Sequence, residues 1–318
     1  MTAMCKIGLV GARGYTGRAL LSLIANHPHL ELAFASSRGL AGQPVCQICP
    51  DFDTDMAFET LGPEEAARAD ADLIILALPN GLAQPFVDAL LPTRAFIIDL
   101  SADYRFDDEW VYGLPELLRL KGEAEKLSGA RLVANPGCYA TAMQLAIAPL
   151  LDQVSAPPSV FGVSGYSGAG TTPSKKNDQS VLADNLLPYA LSGHIHEREA
   201  TRHLGMAIRF TPHVHPAFSG IVTTVHVPLR ETVSADDLLG IFSAAYGKER
   251  LISLGKEAPT LKEGTGHPGV LIGGFGVGEH YAVIVAAEDN LLKGAAVQAM
   301  QNINLMLGFD EFTAIAIP

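Results

Sequence analysis

Cysteine is scarce in this chain. Cys5, Cys46, Cys49 and Cys138 are too few and too irregularly spaced for a disulfide scaffold. Cys46 and Cys49, in "CQIC", have no second Cys-x-x-Cys to complete a zinc site and read as an ordinary loop pair. Long hydrophobic runs are missing as well. The most apolar stretch, "LIILALP" at 73–79, falls far short of the roughly 20 residues needed to span a bilayer. The N-terminal apolar patch is cut by Arg13 and carries no cleavable signal pattern. A cytoplasmic protein without a membrane partner is expected. Positive charge is also in short supply: 22 Lys and Arg against 34 Asp and Glu leave a net charge of −12, which argues against non-specific nucleic-acid binding. No His-Glu-x-x-His occurs, and His-x-His neighbours share a face only on an extended strand, so no metal site is expected.

What is present is apolar material for real cores. Hydrophobic residues make up 48% of 318 residues and charged residues only 18%, enough for two domains of ordinary size. The first half alternates buried-looking strands with helical segments. Strands are predicted in "LELAFASS" (30–37), "ADLIILALPNG" (71–81), "AFIIDLSAD" (95–103) and "RLVANPG" (131–137), the pattern of a parallel sheet with helices on both faces. After about residue 155 the alternation lapses. Strand-like runs at 220–229 and 281–289 accompany a helix at 234–247, where Ser234 and Asp237 stand at capping-box spacing. A mixed or antiparallel α+β domain is expected there. The tail 288–308 reads as a final helix capped by Asp289 or Asn290.

Two motifs carry chemistry. "GLVGARGYTG" (8–17) sets Gly11, Gly14 and Gly17 at three-residue spacing between a strand and a helix, which brings backbone N–H groups close to a diphosphate. The next strand ends in "ASSRG" (35–39). An acidic residue there would favour NAD; Ser36, Ser37 and Arg38 instead suit a 2′-phosphate, and NADP is the expected cofactor. The second motif is "NPGCYATA" (135–142). Pro136 and Gly137 shape the turn that delivers Cys138 to the first turn of a helix, where the helix dipole favours a thiolate. The bland alternative is a small core residue. Cys138 also closes the last strand of the parallel series, where open α/β sheets collect ligands, and this favours a nucleophile. Its acid–base partner is sought in the histidine cluster 192–216.

With these motifs in hand, the chain resembles the N-acetyl-γ-glutamyl-phosphate reductases. The resemblance rests on "GARGYTG" (11–17), "SSRGLAGQ" (36–43), "LALPNG" (76–81), "DLSADYRF" (99–106), "YGLPEL" (112–117), "NPGCYATA", "SGYSGAG" (164–170), "HIHEREA" (194–200) and "DNLLKGAAVQAMQN" (289–302). It implies a Rossmann-type α/β domain of residues 1–137 with 290–318, and an α+β catalytic and oligomerisation domain of 138–289. It implies an NADP-dependent acyl-phosphate reductase of arginine biosynthesis, working as a homodimer or homotetramer. In that scheme Cys138 attacks the acyl phosphate, inorganic phosphate leaves, and hydride reduces the thioester. His196 matches the acid–base histidine, with His194 the alternative, and Glu199 matches the block's glutamate. Cofactor contacts are expected from Gly11, Gly14, Tyr15, Thr16, Gly17, Ser36, Ser37, Arg38, Pro79, Ser101 and Asn290. The chain departs from the pattern at Asn80, at Thr171 and Thr172, and at Arg198. Arg198, Arg202, Lys175 and Lys176 are therefore the candidates for the substrate's phosphate and carboxylate. Aspartyl-phosphate or aminoadipyl-phosphate reduction are alternatives of the same chemistry. A dinucleotide-binding sensor with a structural thiol and a zinc-dependent hydrolase are alternatives of other classes.

Overall fold

The computed structural model describes residues 4–52 and 55–318. The chain forms two compact units. One comprises residues 1–114, 124–136 and 295–316; the other comprises 115–123, 137–294 and 317–318. The units change over at 136/137 and 294/295, against expected boundaries of 137/138 and 289/290. Segment 115–123, expected in the first domain, belongs to the second. Its Glu116 pairs with Lys293 at 2.7 Å and Arg119 pairs with Glu249, Nε to Oε1 at 2.7 Å.

The first unit is built on a six-stranded, wholly parallel sheet. Its strands are β1 (Cys5–Val10), β2 (Leu30–Ser36), β3 (Leu73–Leu76), β4 (Phe96–Asp99), β5 (Val111–Tyr112) and β6 (Leu132–Ala134), in the order β2-β1-β3-β4-β6-β5. β3 is buried along its whole length, so its sequence is unbroken Leu-Ile-Ile-Leu rather than alternating. The strands are shorter than the apolar runs that predict them. β3 stops at Leu76 because the chain turns out toward Asn80 and Gly81. β4 stops at Asp99 because its carboxylate accepts the Ser101 N–H at 3.1 Å.

The second unit contains a seven-stranded mixed sheet. It comprises β7 (Ser159–Gly165), β8 (Leu187–Pro188), β9 (Arg209–His215), β10 (Ile221–Pro228), β11 (Ile252–Leu254), β12 (Val270–Gly278) and β13 (Tyr281–Glu288), ordered β11-β12-β13-β10-β7-β9-β8. Only the β7–β9 and β11–β12 pairs are parallel. Helix Cys138–Ile147 packs on β10 and β13, and helix Ala235–Tyr246 packs on β12. The expected capping box holds: Ser234 Oγ accepts from Asp237 N at 3.1 Å, and Asp237 Oδ2 accepts from Ser234 N at 3.0 Å. On the sheet's other face Phe161, Thr224 and Val285 sit side by side, with Phe161 and Tyr281 exposed.

The tail departs from the reading of one capped helix. Glu288 ends β13, Asp289 Oδ1 accepts Leu291 N at 2.8 Å, and residues Leu292–Ala296 form a π-helical turn before the α-helix Val297–Leu307. The Gly294 N–H bonds back five residues to Asp289 O at 3.0 Å. Single π turns of this kind often sit at functional sites.

Candidate functional site

Cys138 is the first residue of its helix, following Gly137 at φ −77° and ψ 147°, and its side chain is only half-buried. The helix has no side-chain N-cap, and the positive end of its dipole favours an anion at the thiol. Cys138 is a thiol, as are Cys5, Cys46 and Cys49. The turn before it is fixed from a distance: Gly137 N donates to Glu199 Oε1 at 2.8 Å, and Glu199 is fully buried.

Glu199 lies on helix Ile195–Leu204, whose first turn carries His196. His194 is the N-cap of that helix, and its Nδ1 accepts the His196 backbone N–H at 3.1 Å. The His-x-His pair is thus a cap and a first-turn residue on a helix, not two neighbours on a strand. The rings stand 4.8 Å apart, and Tyr139, next to Cys138, approaches both, with centroids at 6.4 Å from His194 and 6.2 Å from His196. Tyr139 is buried, donates its hydroxyl to His213 O at 2.9 Å, and is pushed well above the ordinary phenol pKa by burial. Burial, then the charge of Lys176, push the His194 pKa down to about 4, against an opposing pull from Glu197. His194 is therefore a neutral imidazole with its proton on Nε2 near neutral pH.

Gly294 was not among the expected site residues. A β-carbon there would fall 2.7 Å from Cys138 Cβ and 3.1 Å from Glu288 Oε1, so the π turn presses bare backbone against the thiol-bearing residue. Glu288 is fully buried, neither carboxylate oxygen has a hydrogen-bond partner among the described residues, and burial pushes its pKa well above the usual range.

In the first unit the glycine-rich turn fits a dinucleotide. Gly11 has φ +89°, and a β-carbon there would lie 2.2 Å from Ala77 O. One at Gly17 would lie 2.7 Å from Gly11 O. Helix Tyr15–Ala25 starts after Gly14 with no side-chain cap, so the positive end of its dipole faces the glycine-rich turn, where an anion would sit. Arg38 is exposed beyond β2, and Arg13 lies against the same loop, its Nη1 2.9 Å from the point a Gly39 β-carbon would occupy. Arg13 was not among the expected residues. Pro79 is exposed after β3 and Ser37 is buried.

Three expected cofactor residues have their side chains committed elsewhere. Ser36 Oγ accepts Leu61 N at 3.1 Å, and Ser101 Oγ donates to Asp99 Oδ2 at 2.6 Å. Asn290, in the second unit, accepts from Gly220 N and donates to Ser167 Oγ, both at 2.9 Å. These are framework ties. Among the described residues no helix is long and apolar enough to cross a membrane.

Two family models match the chain: "Semialdehyde dehydrogenase, NAD binding domain" over residues 6–124 and "Semialdehyde dehydrogenase, dimerisation domain" over 138–290. The first matches a nicotinamide-dinucleotide-binding domain. N-acetyl-gamma-glutamyl-phosphate reductase of Xanthomonas campestris pv. campestris (strain B100) is 53% identical over 97% of this chain and 98% of its own length. Among solved structures, aspartate semialdehyde dehydrogenase II from Vibrio cholerae superposes with a TM-score of 0.76 at 19% identity, over 95% of this chain and 98% of that one. Aspartate semialdehyde dehydrogenase with NADP from Candida albicans does so with a TM-score of 0.71 at 15% identity, over 95% of this chain and all of that one. These two likenesses show the fold.

Proposed function

The chain belongs to the N-acetyl-gamma-glutamyl-phosphate reductase family, and we propose that it reduces N-acetyl-L-glutamyl 5-phosphate to N-acetyl-L-glutamate 5-semialdehyde and inorganic phosphate. The reading places it in arginine biosynthesis, in the cytoplasm, with NADP as cofactor. Arg38 and Arg13 beside the loop after β2, where no carboxylate closes the strand, support NADP over NAD. Gly11, Gly14, Tyr15, Thr16, Gly17, Ser37 and Pro79 complete the set that would hold it.

One observation carries the chemistry: a half-buried thiol at a helix start, tied through Gly137 and Glu199 to the helix that bears His196. His196 takes the Cys138 proton, and the thiolate attacks the acyl carbon. The C–S bond forms as the C–O bond to phosphate breaks, and phosphate leaves with the electron pair. A thioester accepts hydride more readily than a carboxylate, and covalent capture divides one hard step into two. NADPH, when bound, supplies that hydride. The amides that follow Cys138 at the helix start stabilise the tetrahedral oxyanion, and His196 returns its proton to the departing thiolate.

The test runs the reaction backwards with N-acetylglutamate semialdehyde, NADP and inorganic phosphate, following NADPH absorbance. Phosphate-dependent turnover is expected with this substrate and not with aspartate semialdehyde. No turnover from folded, NADP-binding protein would overturn the reading.

The assembly in this reading is a homodimer formed through the open face of the seven-stranded sheet. Exposed Phe161 and Tyr281 and half-buried Val222, Val283 and Val285 share that face, an apolar surface of the kind that subunits cover. Light scattering on the purified chain distinguishes a dimer from a monomer or tetramer.

A further inference from the structure

The loop between β7 and helix Ile195–Leu204 places one cation over the Tyr189 ring, which borders His194. Lys176 Nζ lies 4.9 Å from the centre of the Tyr189 ring, and that ring lies 5.6 Å from His194. The lysine is half-buried, whereas its neighbour Lys175 is exposed. Its position is fixed by the fold of the loop. Asn177 Nδ2 donates to Gly170 O at 2.9 Å and Thr172 O at 2.8 Å, while its Oδ1 accepts Ser174 N at 2.8 Å. Asp178 then caps the following turn by accepting Ser180 N at 2.9 Å. Lys176 is thus held at the rim of the Cys138 cluster by its neighbours on both sides.

Among the described residues, no carboxylate lies within ion-pair distance of this ammonium. That is unusual placement in a chain with net charge −12. A cation resting on an aromatic face keeps its N–H donors for another partner. Lys176 is the second cause, after burial, of the lowered His194 pKa, so the ammonium lies within electrostatic reach of that ring. Tyr189 itself is pushed above the usual phenol range by burial and by Cys138, so the ring under the lysine also lies within the electrostatic reach of the thiol.

We propose that Lys176 binds an oxyanion of the substrate, the phosphoryl group or the carboxylate. The inference rests on the proposed reduction and names the residue that meets the charge of its substrate. Lysine acts here as a point charge, so arginine is expected to replace it better than a neutral side chain.

The test compares wild type, Lys176→Met, Lys176→Arg and, as a control at an exposed lysine on another element, Lys262→Met in the reverse reaction, titrating inorganic phosphate and N-acetylglutamate semialdehyde separately. Lys176→Met is expected to raise one of the two KM values about tenfold, with kcat changed less, while Lys176→Arg and Lys262→Met stay within about threefold. A raised phosphate KM assigns the phosphoryl group, and a raised semialdehyde KM assigns the carboxylate. Both KM values within about threefold of wild type in Lys176→Met would overturn the proposal.

A second arm needs no turnover, and separates failure here from failure of the functional reading. Inorganic phosphate and N-acetylglutamate are each tested for protection of Cys138 from iodoacetamide, read by mass spectrometry. Protection by either in wild type that is lost in Lys176→Met but kept in Lys176→Arg supports the site. Equal protection in wild type and Lys176→Met, or none in wild type, counts against it. Circular dichroism of each variant confirms that the comparison is between folded proteins.

Discussion

His194 Nδ1 accepts the backbone N–H of His196 at 3.1 Å, and this single bond makes the two rings chemically unequal. As an acceptor His194 must be neutral at Nδ1, and burial together with Lys176 keeps it so down to about pH 4. We therefore propose His196, rather than His194, for the proton-transfer role. His196→Asn is expected to lower turnover by about 10²–10⁴-fold with NADP binding intact. His194→Asn preserves a good N-cap and is expected to stay within about tenfold of wild type. Steady-state kinetics of both variants decide the assignment, and the reverse ranking would move the role to His194.

Cys138→Ala removes the proposed nucleophile and leaves a helix start that alanine tolerates. Turnover is expected to fall by about 10³-fold or more, with the unfolding midpoint nearly unchanged. Wild type, but not the variant, should gain one carboxamidomethyl group on the peptide containing residue 138. Residual activity near wild type would exclude a thioester.

Gly294→Ala tests the contact between the π turn and the thiol. Its β-carbon would meet Cys138 Cβ at 2.7 Å, a distance that forces one of the two to move. Overpacking of this kind costs about 1–3 kcal/mol, and displacement of Cys138 should lower kcat as well. Gly240, inside helix Ala235–Tyr246, has nothing within 4 Å of its β-carbon position. Gly240→Ala is therefore expected to stabilise by about 0.5–1 kcal/mol without touching activity. Thermal melts should shift down for Gly294→Ala and up for Gly240→Ala, and kcat should fall in Gly294→Ala alone.

Lys293 and Glu116 form an ion pair of 2.7 Å with side chains 0% and 1% exposed, and Glu288 is buried close by. Lys293→Met strands the Glu116 carboxylate in a dry interior and is expected to cost about 3–5 kcal/mol. The double variant Lys293→Met, Glu116→Leu removes both charges and should recover much of that loss. Urea unfolding of the single and double variants measures the difference.

Two titratable groups, the buried Asp99 and the half-buried His194, give opposite pH dependences in one window. Burial raises Asp99 from 3.8 to about 6, so the folded form holds the proton there more tightly than the unfolded one. Its contribution to stability therefore falls as pH rises from 3.8 to 6. His194 drops from 6.5 to about 4, so the unfolded form holds more protons and stability rises with pH between 4 and 6.5. Asp99→Asn should steepen the gain in stability from pH 4.5 to 6, and His194→Asn should flatten or reverse it. Denaturation midpoints at the two pH values report each slope.

Local chemistry was the part of this molecule that a linear reading captured. A glycine with φ +89° between strand and helix, and a cysteine delivered by Pro136 and Gly137 into a helix start, are properties of neighbouring residues. The Leu-Ile-Ile-Leu of β3 announced a strand buried on both faces, although the flanking apolar residues made it look longer than it is. At Ser36, Ser101 and Asn290 the residue types suit a ligand, but the linear reading could not see the hydrogen bonds their side chains make to Leu61, Asp99, Gly220 and Ser167.

The sequence by itself determined the two kinds of domain, the glycine-rich turn and the position of the thiol, because backbone sterics and hydrophobic periodicity act over a few residues. Only the tertiary structure decided what surrounds that thiol. The tie from Gly137 to Glu199 spans 62 positions, and Gly294 reaches Cys138 from the far end of the chain. Such contacts follow from how helices and a π turn pack against one another, a matter of complementary volume and buried hydrogen bonding that no local pattern encodes.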